Sequence, residues 1–139
     1  MQWQRIVVGV DGSPESLVAL RRARALADEP GAVLSVVTAW HQPVTGDATL
    51  VVTDMDAAMA TEQDRAIAAV FGDERPAHLE TALVHGTAAH VLCEMSADAD
   101  LLVLGSRGHG GVAGLLLGSV SMHCAEKASC DVLVVRERG

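Results

Sequence analysis

The sequence predicts an open α/β fold built on a parallel sheet, and three of its features carry that prediction. Short runs such as Arg5-Ile6-Val7-Val8-Gly9-Val10 are nearly continuous in apolar, β-branched residues instead of alternating, as strands buried on both faces are. Stretches with helical apolar spacing separate these runs. Parallel strands need crossover connections, and the alternation βαβαβαβαβ supplies them, with helices expected on both faces of the sheet.

The first strand is expected over residues 5–10. Asp11-Gly12-Ser13-Pro14 then turns the chain, with Ser13 placed to cap a helix and Pro14 at its first position, where a missing N–H costs nothing. Leu17, Leu20, Ala23, Ala25 and Leu26 are expected on one face of that helix and Arg21, Arg22 and Arg24 on the other, with Pro30-Gly31 as its end. Residues 33–39 are the second strand, and residues 40–53, with Pro43 and Gly46, are a long connection of the kind that serves as a loop or lid. A second helix is expected over 54–70, with Met55, Ala58, Met59, Ile67 and Val70 apolar, ended by Phe71-Gly72. Residues 79–84 are a third strand, Gly86-Thr87 turns into a helix reaching about Ser96, and 101–104 is the fourth strand. A last helix over 119–127 and a last strand over 132–135 complete the series.

At 139 residues the chain is expected to be one domain, 1–139. Ten Lys and Arg against 18 Asp and Glu leave −8, and one Phe, two Trp and no Tyr offer little to stack on bases, so nucleic acid is a poor candidate partner. An anionic ligand must then be held by local devices, such as backbone N–H groups, a helix N-terminus, a lone Arg or a metal. Five apolar or Gly residues before Asp11 are too few for a secretory core, and no uncharged apolar stretch reaches 18 residues. Three cysteines without a C-x-x-C fit a reducing compartment, so a cytoplasmic location without membrane contact is expected.

In open parallel sheets, ligands bind outside the carboxyl ends of strands where strand order reverses. After Leu104 the chain reads Gly105-Ser106-Arg107-Gly108-His109-Gly110-Gly111-Val112-Ala113-Gly114-Leu115-Leu116-Leu117-Gly118-Ser119-Val120. Gly105 and Gly108 let backbone amides approach a phosphate closely, and Gly118-Ser119 opens a helix with unsatisfied N–H groups, the positive dipole end and a hydroxyl at one point. No Lys follows the final Gly, and Gly9-Val10-Asp11-Gly12 is not G-x-G-x-x-G, so the loop is of neither Walker nor dinucleotide type.

The spacing Gly105-x2-Gly108-x9-Gly118-Ser119 resembles the G-x2-G-x9-G-[ST] nucleotide motif of the universal stress protein family. The likeness extends over Ile6-Val7-Val8-Gly9-Val10-Asp11-Gly12-Ser13, Val84-His85-Gly86, residues 99–108 and Val132-Leu133-Val134-Val135-Arg136, and residues 107–121 resemble actinobacterial members. The resemblance implies a Rossmann-like five-stranded fold, ATP as ligand, often with Mg²⁺ or Mn²⁺, and a homodimer paired through the last strand. Carried over by position, it puts Val10 and Asp11 at the nucleoside, Val37 at adenine, Leu104 and Gly105 at ribose, and Gly108, Gly118, Ser119 and Val120 at the phosphates. Where many relatives read Cys-Pro-Val, this chain has Cys130-Asp131-Val132, which frees an N–H and adds a charge at the expected dimer edge.

Asp11 is read either as a ribose or metal-water contact or as a turn carboxylate bonding an amide two residues on. Arg107 is read either as a phosphate donor or as a solvated loop residue, Ser106 and Ser121 as phosphate neighbours or phosphorylation targets, and His109 as a solvated loop residue. The other histidines show no zinc-ligand spacing. Cys93 is expected in the core, and neither Cys124 nor Cys130 as a catalytic thiol. The expected function is nucleotide binding that regulates a partner in a stress response, with at most slow ATP hydrolysis, since no Walker carboxylate or P-loop Lys is present. A cyclic AMP binder and a dimeric interaction protein that does not use nucleotide are the alternatives.

Overall fold

A computed structural model describes residues 3–41, 55–108 and 117–137. The elements follow in order: β1 (Arg5–Gly9), α1 (Pro14–Leu26), β2 (Val33–Trp40), α2 (Met55–Phe71), β3 (Leu79–His85), α3 (Ala88–Met95), a 3₁₀ turn (Ser96–Asp98), β4 (Leu101–Gly105), α4 (Ser119–Lys127) and β5 (Asp131–Val135). The five strands form one parallel sheet in the order β3-β2-β1-β4-β5, the expected architecture. The chain builds outward from β1 to β3 and then returns to start again at β4 beside β1. Strand order therefore reverses between β1 and β4, whose registers pair Ile6 with Leu101 and Val8 with Val103.

Alternation along the strands divides the core in two. Ile6, Val8, Leu34, Val36, Leu101 and Val103 point to the side covered by α1 and α2, where Ala19, Leu20, Ala23, Ala66, Ile67 and Phe71 meet them. Val7, Val37, Leu102 and Leu104 point to the other side, against Val91 and Leu92 of α3 and Cys124 of α4.

Local chemistry explains several boundaries. The Ser13 side chain accepts from the Ser16 N–H at 3.3 Å, and Pro14 occupies the first helical position, so α1 starts as its sequence dictates. It ends earlier than Pro30-Gly31, at Leu26, with the Ala27 N–H donating to the Ala23 carbonyl. Ala25, expected in the apolar face, is exposed, because it lies one turn beyond Arg21 on the solvent side. Ala58 is exposed for a similar reason, lying about two and a half turns before buried Ile67 and so on the opposite side of α2. Arg24, exposed as its helical position suggests, still reaches across: its Nη1 donates to the Val70 carbonyl at 2.7 Å and its guanidinium lies 4.9 Å from the Phe71 ring centroid, fastening α1 to α2. The connection over 42–54 lies outside the described residues.

Polarity hid one core residue. Gln63 of α2 is 5% exposed, and its Nε2 shares two N–H bonds among the Val36 carbonyl, the Ala82 carbonyl and Thr38 Oγ1. Thr38 Oγ1 in turn donates to the Val10 carbonyl at 2.7 Å. This chain of bonds ties α2 through β2 to the residue that follows β1. Replacing Gln63 by Leu removes the shared donor and is expected to lower stability by about 1–3 kcal/mol, read as a fall in urea midpoint at unchanged m-value.

Candidate functional site

The carboxyl ends of β1, β2 and β4 open into a cavity of about 290 Å³, at the small end of the range for ligand pockets. All ten positions singled out from sequence line it: Val10, Asp11, Val37, Leu104, Gly105, Arg107, Gly108, Gly118, Ser119 and Val120. Gly9, Ser16, Ala39, Ala88, Leu92, Ser106 and Ser121 are among the residues completing the wall.

Two turns meet in this cavity. After β1, the Asp11 carboxylate accepts the Ser13 N–H at 2.9 Å, so the turn role foreseen for it is realised. The other carboxylate oxygen lies against Gly108: a Cβ there would stand 2.5 Å from Asp11 Oδ2, closer than atoms approach. A side chain at position 108 would have to displace the Asp11 carboxylate. After β4, the Gly118 N–H donates to the Ser106 carbonyl at 2.6 Å, and a Cβ on Gly118 would lie 3.9 Å from the Gly108 nitrogen. Glycines ten residues apart in the motif therefore stand side by side.

The N-terminus of α4 adds the donors. Gly118 is the N-cap and has no side-chain capping bond, while the Met122 N–H makes the first intrahelical bond, to the Gly118 carbonyl. The amides of residues 119–121 consequently have no acceptor within the helix, and they stand at its positive end. Ser119 is exposed at this point, whereas Ser121 is 2% exposed and its hydroxyl reaches the Ser106 and Gly118 carbonyls at 3.0 and 3.1 Å. Burial removes Ser121 from reach as a phosphorylation target.

A carboxylate not singled out from sequence organises the exit of β4. Glu15, in the first turn of α1, is 9% exposed. It accepts the Ser106 hydroxyl, and its Oε2 accepts the Arg107 N–H at 2.6 Å, with Arg107 Nε 3.7 Å from Oε1. The backbone N–H of Arg107 is therefore engaged by Glu15, while its side chain stays exposed at the cavity wall with Nε 3.7 Å from the same carboxylate. Ser106 lies buried in the cavity wall with its hydroxyl bonded to Glu15. Gly105 has no room for a side chain, since a Cβ would lie 2.9 Å from the Glu15 carbonyl carbon and oxygen. From sequence alone Glu15 reads as an ordinary acidic residue favoured by the helix dipole; its partners lie 91 and 92 residues away.

Val37, buried in the sheet and lining the cavity, accepts the Val10 N–H at its carbonyl at 2.9 Å. Among the described residues no group of three or more His, Cys, Asp or Glu could hold a metal ion. His109 lies outside the described residues. No helix among them is long and apolar enough to cross a membrane.

The sequence pattern of the universal stress protein family matches residues 2–136. The chain belongs to the universal stress protein family. It is 35% identical over 140 aligned positions to universal stress protein Rv2624c of Mycobacterium tuberculosis, covering 96% of this chain and 48% of that one. A universal stress protein of Mycolicibacterium smegmatis is 31% identical, with 96% and 46% covered. The chain thus spans about half the length of the curated relatives it matches. Among solved structures, a universal stress protein in complex with cAMP superposes with a TM-score of 0.69 at 32% identity, covering 97% of this chain and 98% of the other. The protein MJ0577 superposes with a TM-score of 0.80 at 17% identity and shares the fold.

Two substitutions probe how this family member holds its loop. Glu15→Ala strips a charged acceptor from two buried donors and is expected to cost about 2–3 kcal/mol, measured by chemical denaturation. Gly105→Ala forces backbone apart and is expected to cost about 1–3 kcal/mol by overpacking, seen as a lowered melting temperature.

Proposed function

We propose that this universal stress protein is a regulatory module that binds an adenine nucleotide, ATP first, at the cavity between the ends of β1 and β4. The observation that carries the reading is the convergence of Gly108, Gly118 and the uncapped N-terminus of α4 at one wall of the cavity, a set of backbone donors suited to an anion. In this assignment Val37 meets adenine through its backbone, Val10 and Asp11 meet the nucleoside, Leu104 and Gly105 flank the ribose, and Gly108, Gly118, Ser119 and Val120 hold phosphate. Arg107 contributes charge from the Glu15 pair at the mouth of the site.

Asp11 is the one carboxylate among the described lining residues. A Mg²⁺ or Mn²⁺ ion takes one or two carboxylates plus phosphate oxygens and water in such sites, so the residues fit an ion carried in by the nucleotide and not one held by the protein alone. With no Lys and no second carboxylate on the described wall, hydrolysis is at most slow, and occupancy is the signal. A homodimer through β5 belongs to the same proposal: among the described residues β5 pairs with β4 alone, and Val132, Leu133 and Val134 at that sheet edge are half-buried.

A second reading is favoured by the relative solved with cAMP, which is 32% identical over nearly the whole chain. The same adenine and phosphate devices accept a cyclic phosphate. Calorimetric titration of nucleotide-free protein with Mg-ATP, ADP and cyclic AMP ranks the ligands. Tightest binding of ATP supports the first reading and of cyclic AMP the second; no binding to any of the three overturns both, leaving an interaction protein. Ser119→Ala is expected to remove one hydrogen bond to a charged group, about 1.5–3 kcal/mol, weakening the preferred nucleotide by about 10–150-fold in the same titration.

A further inference from the structure

Behind the cavity, α3 and α4 pack together in the second apolar layer, and two thiols meet there. Cys93 of α3 and Cys124 of α4 have their Sγ atoms 3.8 Å apart. Both are free thiols. Cys124 is fully buried and Cys93 half-buried, within a layer that includes Val91, Leu92, Leu102 and Leu104. A disulfide needs about 2.05 Å, so the sulfurs must close by about 1.7 Å. Nothing in the nucleotide site uses these thiols.

We propose that Cys93 and Cys124 are a peroxide-oxidisable dithiol that closes to an intramolecular disulfide between α3 and α4. The more accessible Cys93, as thiolate, attacks a hydroperoxide: the O–O bond breaks, one oxygen joins sulfur as a sulfenic acid, and the other leaves in water or an alcohol. The Cys124 sulfur then attacks the Cys93 sulfur; the S–S bond forms, the S–O bond breaks, and the Cys124 proton leaves with the departing oxygen as water. Two thiols lose two electrons and the peroxide gains them.

The two sulfurs are unequal, which orders the steps. Burial pushes the Cys124 thiol up to about 12, assisted by the hydrogen bond to Cys93 and by the neighbouring Cys93 and Cys130. Cys124 therefore keeps its proton and is no first target. Cys130 packs against the same layer, its thiol donating to the Asp131 carbonyl at 3.3 Å.

The bridge bears on the cavity because α3 supplies Ala88 and Leu92 to its wall, beside Cys93, and α4 supplies residues 119–121, a turn before Cys124. That consequence rests on the nucleotide reading; the disulfide does not. The test treats the full chain with hydrogen peroxide, counts free thiols by alkylation in denaturant, and maps the product by mass spectrometry without reduction. Expected is a wild-type protein that falls from three free thiols to one, loses two hydrogens in mass, yields a Cys93–Cys124 peptide and recovers with dithiothreitol. Cys130→Ser should form the same bridge, while Cys93→Ser and Cys124→Ala should not; the half-buried Cys93 position keeps the test sound if the core variant folds poorly. Three thiols that persist, a bridge through Cys130, or one between two chains overturns the proposal. Calorimetry then reads the coupling: the bridged protein is expected to bind the preferred nucleotide about tenfold more weakly and to recover on reduction. Unchanged affinity in bridged protein overturns the coupling, and absence of nucleotide binding in the reduced protein overturns the nucleotide reading while the thiol count still judges the disulfide.

Discussion

The contact on which the rest of the site depends is the seating of the β4 exit on the first turn of α1. Gly105 lies so near the Glu15 backbone that no side chain fits between them, and the Glu15 carboxylate takes the Ser106 hydroxyl and the Arg107 amide. A carboxylate at a helix N-terminus is favoured by the dipole, and here it also satisfies donors that would otherwise be buried without partners. With residues 105–107 fixed, the Ser106 carbonyl is in place to receive the Gly118 N–H and the Ser121 hydroxyl, which sets the start of α4. The wall of the cavity is thus a consequence of one strand end resting on one helix start.

The electrostatics of the chain and of the cavity run in opposite directions. The chain carries −8, yet the wall formed by Gly108, Gly118 and residues 119–121 presents backbone amides and a positive helix end. Amide donors need no cationic side chain, so an acidic protein can build an anion site where the backbone is bare enough to be approached. The Asp11 carboxylate beside Gly108 sets one negative group next to these amides.

Much of the fold and the cavity was legible in advance. Ser13-Pro14 starts α1, the apolar runs become the strands, and the last helix spans residues 119–127, because capping and periodicity are local matters. The sequence was least informative where local pattern and burial part company. Ala25 and Ala58 are apolar but small, so their exposure costs little, and Gln63 is polar but buried, because three acceptors await it between β2 and β3. Glu15 was missed for the same reason: its value lies in partners that the sequence does not place beside it.

The sequence by itself determined the kinds of element, their order, the glycine spacing and hence the family, since each follows from chemistry within a few residues of chain or from a motif read directly. Tertiary structure alone decided that β1 and β4 are neighbours, that Glu15 meets Ser106 across 91 residues, and that Cys93 and Cys124 touch. The physical reason is the crossover connection. Each parallel strand is reached by a helix passing over the sheet, so contact between distant residues depends on which side of β1 the chain takes, a choice governed by the packing of whole elements and not by any local run of residues.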